Sequence, residues 1–121
     1  LKISQNVIFT GFKSDIKPYY VDLDVLVVPS LRHNPCPNTL LEGMALSLPI
    51  LAYATGGIPE IVEKDYTGLL YEPGDYIKLG KGMIQMIKHK YIRVLMGEAG
   101  RERIEKYFDV LMKTWEIEDV L

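Results

Sequence analysis

The sequence predicts an α/β domain built on a parallel sheet, and three observations carry that expectation. β-rich runs alternate with helix-patterned stretches, the run Val25-Leu26-Val27-Val28 is apolar without a break, and glycine or proline marks most of the changeovers. An unbroken Val/Leu run suits a strand covered on both faces. Strand–helix alternation then implies right-handed crossovers with helices on both sides of the sheet.

In order along the chain, Val7-Ile8-Phe9 reads as a first strand, ending in the turn Gly11-Phe12. A short helix follows over Asp15 to Val21, with Ser14 available to cap it. Asp24 to Val28 is the second strand, and Ser30 to Pro37 is a loop with two prolines and no periodicity. Asn38 is a good N-cap for a helix running to about Leu48, where Leu40, Leu41, Met44, Ala45 and Leu48 form one apolar stripe. Pro49 stops that helix and opens a third strand, Ile50 to Tyr53. Thr55-Gly56-Gly57 turns into a short helix over Ile58 to Glu63, and Gly68 to Tyr71 is a fourth strand before the Pro73-Gly74 turn.

Everything after Asp75 is patterned as helix. One apolar face reads Tyr76, Leu79, Met83, Ile84 and Ile87, a second Ile92, Leu95, Met96 and Ala99, and a third Phe108, Leu111, Met112 and Trp115. Four strands is a thin doubly wound sheet. The chain begins with Leu1 and a strand-like run follows almost at once. The expectation is therefore the later part of a Rossmann-like three-layer domain whose first strands lie upstream.

Composition narrows the function classes. The 121 residues are 48% hydrophobic and 25% charged, which fits one ordinary globular domain. With 14 Lys+Arg against 16 Asp+Glu, the mean charge gives no reason to expect nucleic acid or anionic lipid. Apolar runs fall far short of the roughly 20 residues of a membrane helix. A single cysteine, Cys36, excludes an internal disulfide and a cysteine-built zinc site. No His/Asp/Glu cluster has metal-ligand spacing, so no metal is expected. A reducing, cytoplasmic setting is the default.

The informative stretch is Val25 to Glu60. A buried strand ends at Pro29-Ser30, a loop follows, and a helix starts near Asn38. In open α/β sheets ligands bind beyond the carboxyl ends of strands, where unpaired amides at a helix start attract phosphate. The amides of Asn38, Thr39 and Leu40 would point into that crevice. Glu42 lies one turn on, off the apolar stripe and on the side of Asn38. A carboxylate there can accept from two vicinal hydroxyls, as on a ribose. An isolated Glu at that position is otherwise an ordinary solvated helix residue.

These residues resemble the retaining glycosyltransferases of family 4, the glycosyl transferases group 1, which have the GT-B fold. The resemblance rests on Pro29-Ser30, Leu40-Leu41-Glu42-Gly43-Met44-Ala45, Leu48-Pro49-Ile50, Gly56-Gly57-Ile58-Pro59-Glu60-Ile61-Val62, Thr67-Gly68-Leu69-Leu70 and Pro73-Gly74-Asp75. Val7 to Phe12 and Met96 to Arg101 also match. It covers nearly the whole chain in order, so residues 1–121 would be the nucleotide-sugar-binding part, with the N-terminal acceptor domain absent.

The resemblance implies a nucleoside-diphosphate sugar as donor, no cofactor or metal, and a sugar acceptor held by the other domain. In its E-x7-E pair the second Glu falls at Glu42, which would bind ribose. The first falls at Asn34, the residue that would meet the transferred sugar and stands as the catalytic candidate. Asn keeps hydrogen bonding but loses the charge that could stabilise an oxocarbenium ion. Two readings stay open there: altered transfer, or a degenerate binding or scaffold module. Ser30, Cys36, Asn38, Thr39 and Leu40 would border the phosphates, and Gly11 and Phe12 the base. Prolines 35 and 37 supply no amide. The basic pair that clamps the diphosphate in the family would lie upstream of Leu1. The resemblance implies no nucleic acid and no membrane span, and it allows a peripheral contact of the parent with the cytoplasmic membrane face.

Other conspicuous residues read more plainly. Cys36 has no base placed beside it by sequence, and His33 is as readily an exposed loop residue as a sugar contact. Glu60 sits in a helix first turn and complements its dipole.

Overall fold

A computed structural model describes residues 3–11, 17–32 and 38–108. Three parallel strands form one sheet in the order β1-β2-β3, with β1 at Leu26–Val28, β2 at Ile50–Tyr53 and β3 at Gly68–Tyr71. Register pairs Leu26 with Ile50 and Ile50 with Gly68, so all three carboxyl ends lie on one side. Helices α1 (Lys17–Tyr20), α2 (Asn38–Ala45), α3 (Ile58–Ile61), α4 (Tyr76–Lys88) and α5 (Lys90–Arg103) complete the layers, and α5 continues into a π-helical stretch at Ile104–Phe108.

The sheet separates two cores. On one face Leu40 and Met44 of α2, Ile58 and Ile61 of α3, and Ile104 pack over Leu26, Ile50, Ala52 and Leu70. On the other, Leu79 and Met86 of α4 and Met96 of α5 pack over Leu51 and Tyr53. Every residue of β2 is buried, as its position between two parallel neighbours requires.

Sequence and structure agree on the bounds of β2 and β3; β1 starts at Leu26 rather than Asp24, Leu95 of the second apolar face is exposed, and four larger differences follow. Residues 7–9 form no strand: Val7 is extended, but Ile8 and Phe9 are 86% and 93% exposed. An extended run becomes a strand only against a hydrogen-bonded neighbour, and no described strand flanks this one. The sheet therefore has three strands among the described residues rather than four.

Helix α2 starts at Asn38 itself and ends at Ala45, short of Leu48. Ser47 turns left-handed (φ 62°), its amide bonds the Met44 carbonyl, and the Leu48 amide reaches back to the Gly43 carbonyl. That pairing is a Schellman stop, made before Pro49 is reached. Helix α3 likewise ends at Ile61, two residues before the expected Glu63. On α4 the inward stripe is Leu79, Gly82 and Met86, while Tyr76, Met83, Ile84 and Ile87 are exposed. A Cβ at Gly82 would strike the Tyr71 hydroxyl, so the glycine lets the β3 tyrosine lie under the helix.

Of the third apolar face, Leu111, Met112 and Trp115 lie outside the described residues, as does Ser14. Asp15 and Ile16 of the expected N-terminal helix lie outside them too, and that helix is described over Lys17–Tyr20.

Helix α5 binds the others together through arginines. Arg93 donates to the Met86 and Ile87 carbonyls (2.6 and 3.0 Å) at the end of α4. Arg101 donates to the last carbonyl of α2, on Ala45 (3.0 Å). Arg103 donates to Ile61 and Glu60 carbonyls of α3 (2.8 and 2.9 Å) and pairs with Glu63. Each places a cation on carbonyls that the helix itself leaves unbonded and on the negative end of its dipole.

Candidate functional site

The candidate site lies beyond the carboxyl ends of β1 and β2, at the start of α2. Beyond β1 the chain passes Pro29 and half-buried Ser30, and beyond β2 it reaches buried Thr55. The Thr55 hydroxyl donates to the Ser30 carbonyl (2.9 Å), joining the two strand exits. Behind Thr55, Gly56 takes φ 52°, which lets the chain turn sharply into α3.

The first turn of α2 faces this end of the sheet. Asn38 and Thr39 are exposed, whereas the Leu40 side chain is fully buried in the core. Leu40 can therefore serve a ligand only through its amide. Glu42 is exposed, off the stripe of Leu40, Gly43 and Met44 that packs inward. Gly43 allows α2 to lie close on β1, since a Cβ there would stand 2.5 Å from Leu26 Cδ2.

Glu42 is not solvated alone. The hydroxyl of Tyr20, at the end of α1, meets both Thr39 and Glu42. Burial raises the Tyr20 pKa above its ordinary 10.0, hydrogen bonding to Thr39 lowers it, and the charge of Glu42 together with its hydrogen bond raises it again. The phenol and the Glu42 carboxylate are therefore neighbours beside the first turn of α2.

Of the sequence-derived site residues, Ser30, Asn38, Thr39, Leu40 and Glu42 gather around the carboxyl end of β1 and the start of α2. Gly11 is exposed with φ 68°, open enough that a Cβ would meet nothing within 4 Å. Phe12, His33, Asn34 and Cys36 lie outside the described residues. Sequence reasoning missed Tyr20 and Thr55. A weak helix ending Tyr19-Tyr20 does not reveal which ring turns inward, and a threonine before two glycines looks like an ordinary turn residue. A groove of about 730 Å³ lies elsewhere, along β3, lined by Pro59, Asp65, Tyr71, Lys78 and Gln85 among others, and it contains none of the site residues.

Helices layered on both faces of a parallel sheet, with a helix opening at the carboxyl ends of the strands, define a Rossmann-like α/β domain. The chain belongs to the glycosyl transferases group 1, whose family model matches residues 1–89. Among curated relatives it is 33% identical over 105 residues to the sulfoquinovosyl transferase SQD2 of Arabidopsis thaliana, covering 83% of this chain and 20% of that protein. It is 31% identical over 108 residues to the N-acetyl-alpha-D-glucosaminyl L-malate synthase of Bacillus anthracis, covering 89% of this chain and 28% of that one. Among solved structures, the sucrose-phosphate synthase of Thermosynechococcus elongatus superposes with a TM-score of 0.73 at 27% identity, covering 86% of this chain and 27% of that one. The Anabaena protein HepE in complex with UDP-glucose superposes with a TM-score of 0.82 at 21% identity, covering 98% and 33%. The chain thus spans a fifth to a third of these four proteins.

Proposed function

We propose that the chain is the donor-binding portion of a retaining, family 4 hexosyltransferase, which moves a sugar from a nucleoside-diphosphate sugar to an acceptor. The observation that carries this reading is the exposed Glu42 carboxylate, one turn from the exposed start of α2, at the carboxyl ends of β1 and β2. Glu42 accepts from the ribose hydroxyls, with the phenol of Tyr20 orienting it. The amides at the start of α2 take the diphosphate, whose charge the helix dipole favours. Asn34 meets the hexose, and Gly11 and Phe12 border the base.

In the transfer step the bond from the sugar's anomeric carbon to the phosphate oxygen breaks. The acceptor oxygen bonds that carbon from the same face, and its proton passes to the departing phosphate. No metal and no paired carboxylates of the glycosidase kind take part. The acceptor is bound mainly by an N-terminal domain of the parent, which works in the cytoplasm or at the cytoplasmic membrane face. The 121 residues alone bind donor weakly and do not turn over.

The test is transfer from radiolabelled UDP-glucose by the full-length parent. Glu42→Gln should lower kcat/KM about 100-fold, the loss of hydrogen bonds to a charged group worth about 1.5–3 kcal/mol each. Unchanged transfer would overturn the assignment of Glu42. Asn34 favours a second reading, a module that kept the fold and lost its activity. If Asn34→Glu restores activity to an inert parent, the site is degenerate; if the parent is already as active as the variant, degeneracy is dismissed.

A further inference from the structure

The near-neutral average charge conceals a strongly uneven distribution. Between Asp75 and Glu98 stand five of the chain's 14 basic residues (Lys78, Lys81, Lys88, Lys90 and Arg93) and none of its 16 acidic ones. Arg93 is occupied with α4 carbonyls and Lys78 pairs with Asp75 at 3.8 Å. Lys81, Lys88 and Lys90 are exposed and without an ion pair among the described residues.

The same surface is apolar. With Leu79, Gly82 and Met86 turned to the sheet, α4 sends the opposite side outward: Ile77 is 60% exposed, Ile84 54% and Ile87 72%, and Tyr91 at the start of α5 is 74% exposed. Ile77, Lys81, Ile84 and Lys88 follow one another at spacings of four, three and four residues, so isoleucines and lysine ammonium groups share one outward face. Lysine stems lie along apolar surface while their heads reach outward, so the two do not conflict.

We propose that this face docks on an anionic lipid bilayer, with α4 lying in the interfacial plane, its isoleucines entering the headgroup boundary and its lysines on the lipid phosphates. Charge complementarity selects this occupant. A second copy of the chain would set lysines against lysines, and a neutral apolar partner would leave them uncompensated. A helix with large isoleucines on the outward side and lysines alongside is the pattern of in-plane membrane binders. The surface lies on the α4 layer, apart from the start of α2, so the inference does not depend on the donor site.

Sedimentation of the 121-residue chain with vesicles tests it. The chain should co-sediment with phosphatidylglycerol vesicles in about 0.1 M salt, bind phosphatidylcholine vesicles far less, and dissociate in about 1 M salt as screening shortens to ~3 Å. Lys81→Ala with Lys88→Ala should lower partitioning about 30-fold, at about 1 kcal/mol per lysine. Ile84→Ser with Ile87→Ser should also reduce it, and because both residues are exposed the unfolding temperature should hold, which separates docking from folding. Glu42→Gln should bind vesicles normally, so failure here leaves the donor reading standing and the reverse. Equal binding to both lipids, or no binding by a folded chain, would overturn the proposal. So would a dimer that the isoleucine changes dissociate, or capture by an acidic polypeptide such as polyaspartate without capture by vesicles.

Discussion

Glu42 shows how one residue's role is set by its neighbours. On α2 it belongs to the outward side, where a carboxylate normally moves freely in water, yet the buried Tyr20 reaches it from α1. We expect the neighbouring phenol to preorganise that carboxylate for a ligand, which lowers the entropy lost on binding. Tyr20→Phe removes the hydroxyl and keeps the ring in the core. In the full-length parent we expect a 3- to 10-fold weaker Kd for UDP-glucose by calorimetry, against a loss of about 1 kcal/mol in stability. An unchanged Kd would mean that Glu42 needs no orienting partner. The glutamate's exposed position was legible in the sequence, because its offset from the apolar stripe follows from residue order. Its partner was not, since the contact crosses from residue 20 to residue 42 and no local pattern encodes it.

Elements were legible in proportion to how local their causes are. β2 and β3 took their expected bounds, because apolar content and flanking Pro49, Thr67 and Glu72 fix them within a few residues. Residues 7–9 failed as a strand because the missing ingredient is a neighbour. The α4 face was misread because Gly82 carries no side chain to mark it as buried, although Tyr71 of β3 fills the space it leaves. The arginines of α5 were invisible for the reason Tyr20 was: they act on carbonyls up to 56 residues away. Two predictions belong to this scale. Ser47 holds a left-handed position that glycine adopts without steric cost, so Ser47→Gly should raise stability by about 0.5–1 kcal/mol, roughly 3 °C in unfolding temperature. Gly97 meets the Ser47 backbone so closely that an added Cβ would strike its carbonyl oxygen. Gly97→Ala should therefore lower stability by about 2 kcal/mol, roughly 8 °C by calorimetric scanning, despite alanine's better helix propensity.

At the scale of the whole molecule, the two cores share one sheet but report on it through different tyrosines. Tyr20 belongs to the core under α2, and its pKa is raised first by burial and then by Glu42. Tyr71 lies against the core under α4, raised first by burial and then by the charge of Asp65. A phenol whose pKa is higher in the folded than in the unfolded chain keeps its proton longer when folded. Its contribution to stability is therefore complete below the unfolded value of 10.0 and is lost as pH rises through the folded value. Because α2, α3 and α4 are each hydrogen-bonded to α5, loss on either face should unfold both together. We expect urea midpoints to stay flat with respect to these two groups up to about pH 9.5 and then to fall as the unfolded chain's tyrosines ionise. Combining Tyr20→Phe with Tyr71→Phe should lower stability at neutral pH and flatten the alkaline fall, each single change removing part of the slope. A double variant that falls as steeply above pH 10 as the unaltered chain would show that lysine deprotonation, not burial of these two phenols, governs the alkaline limit.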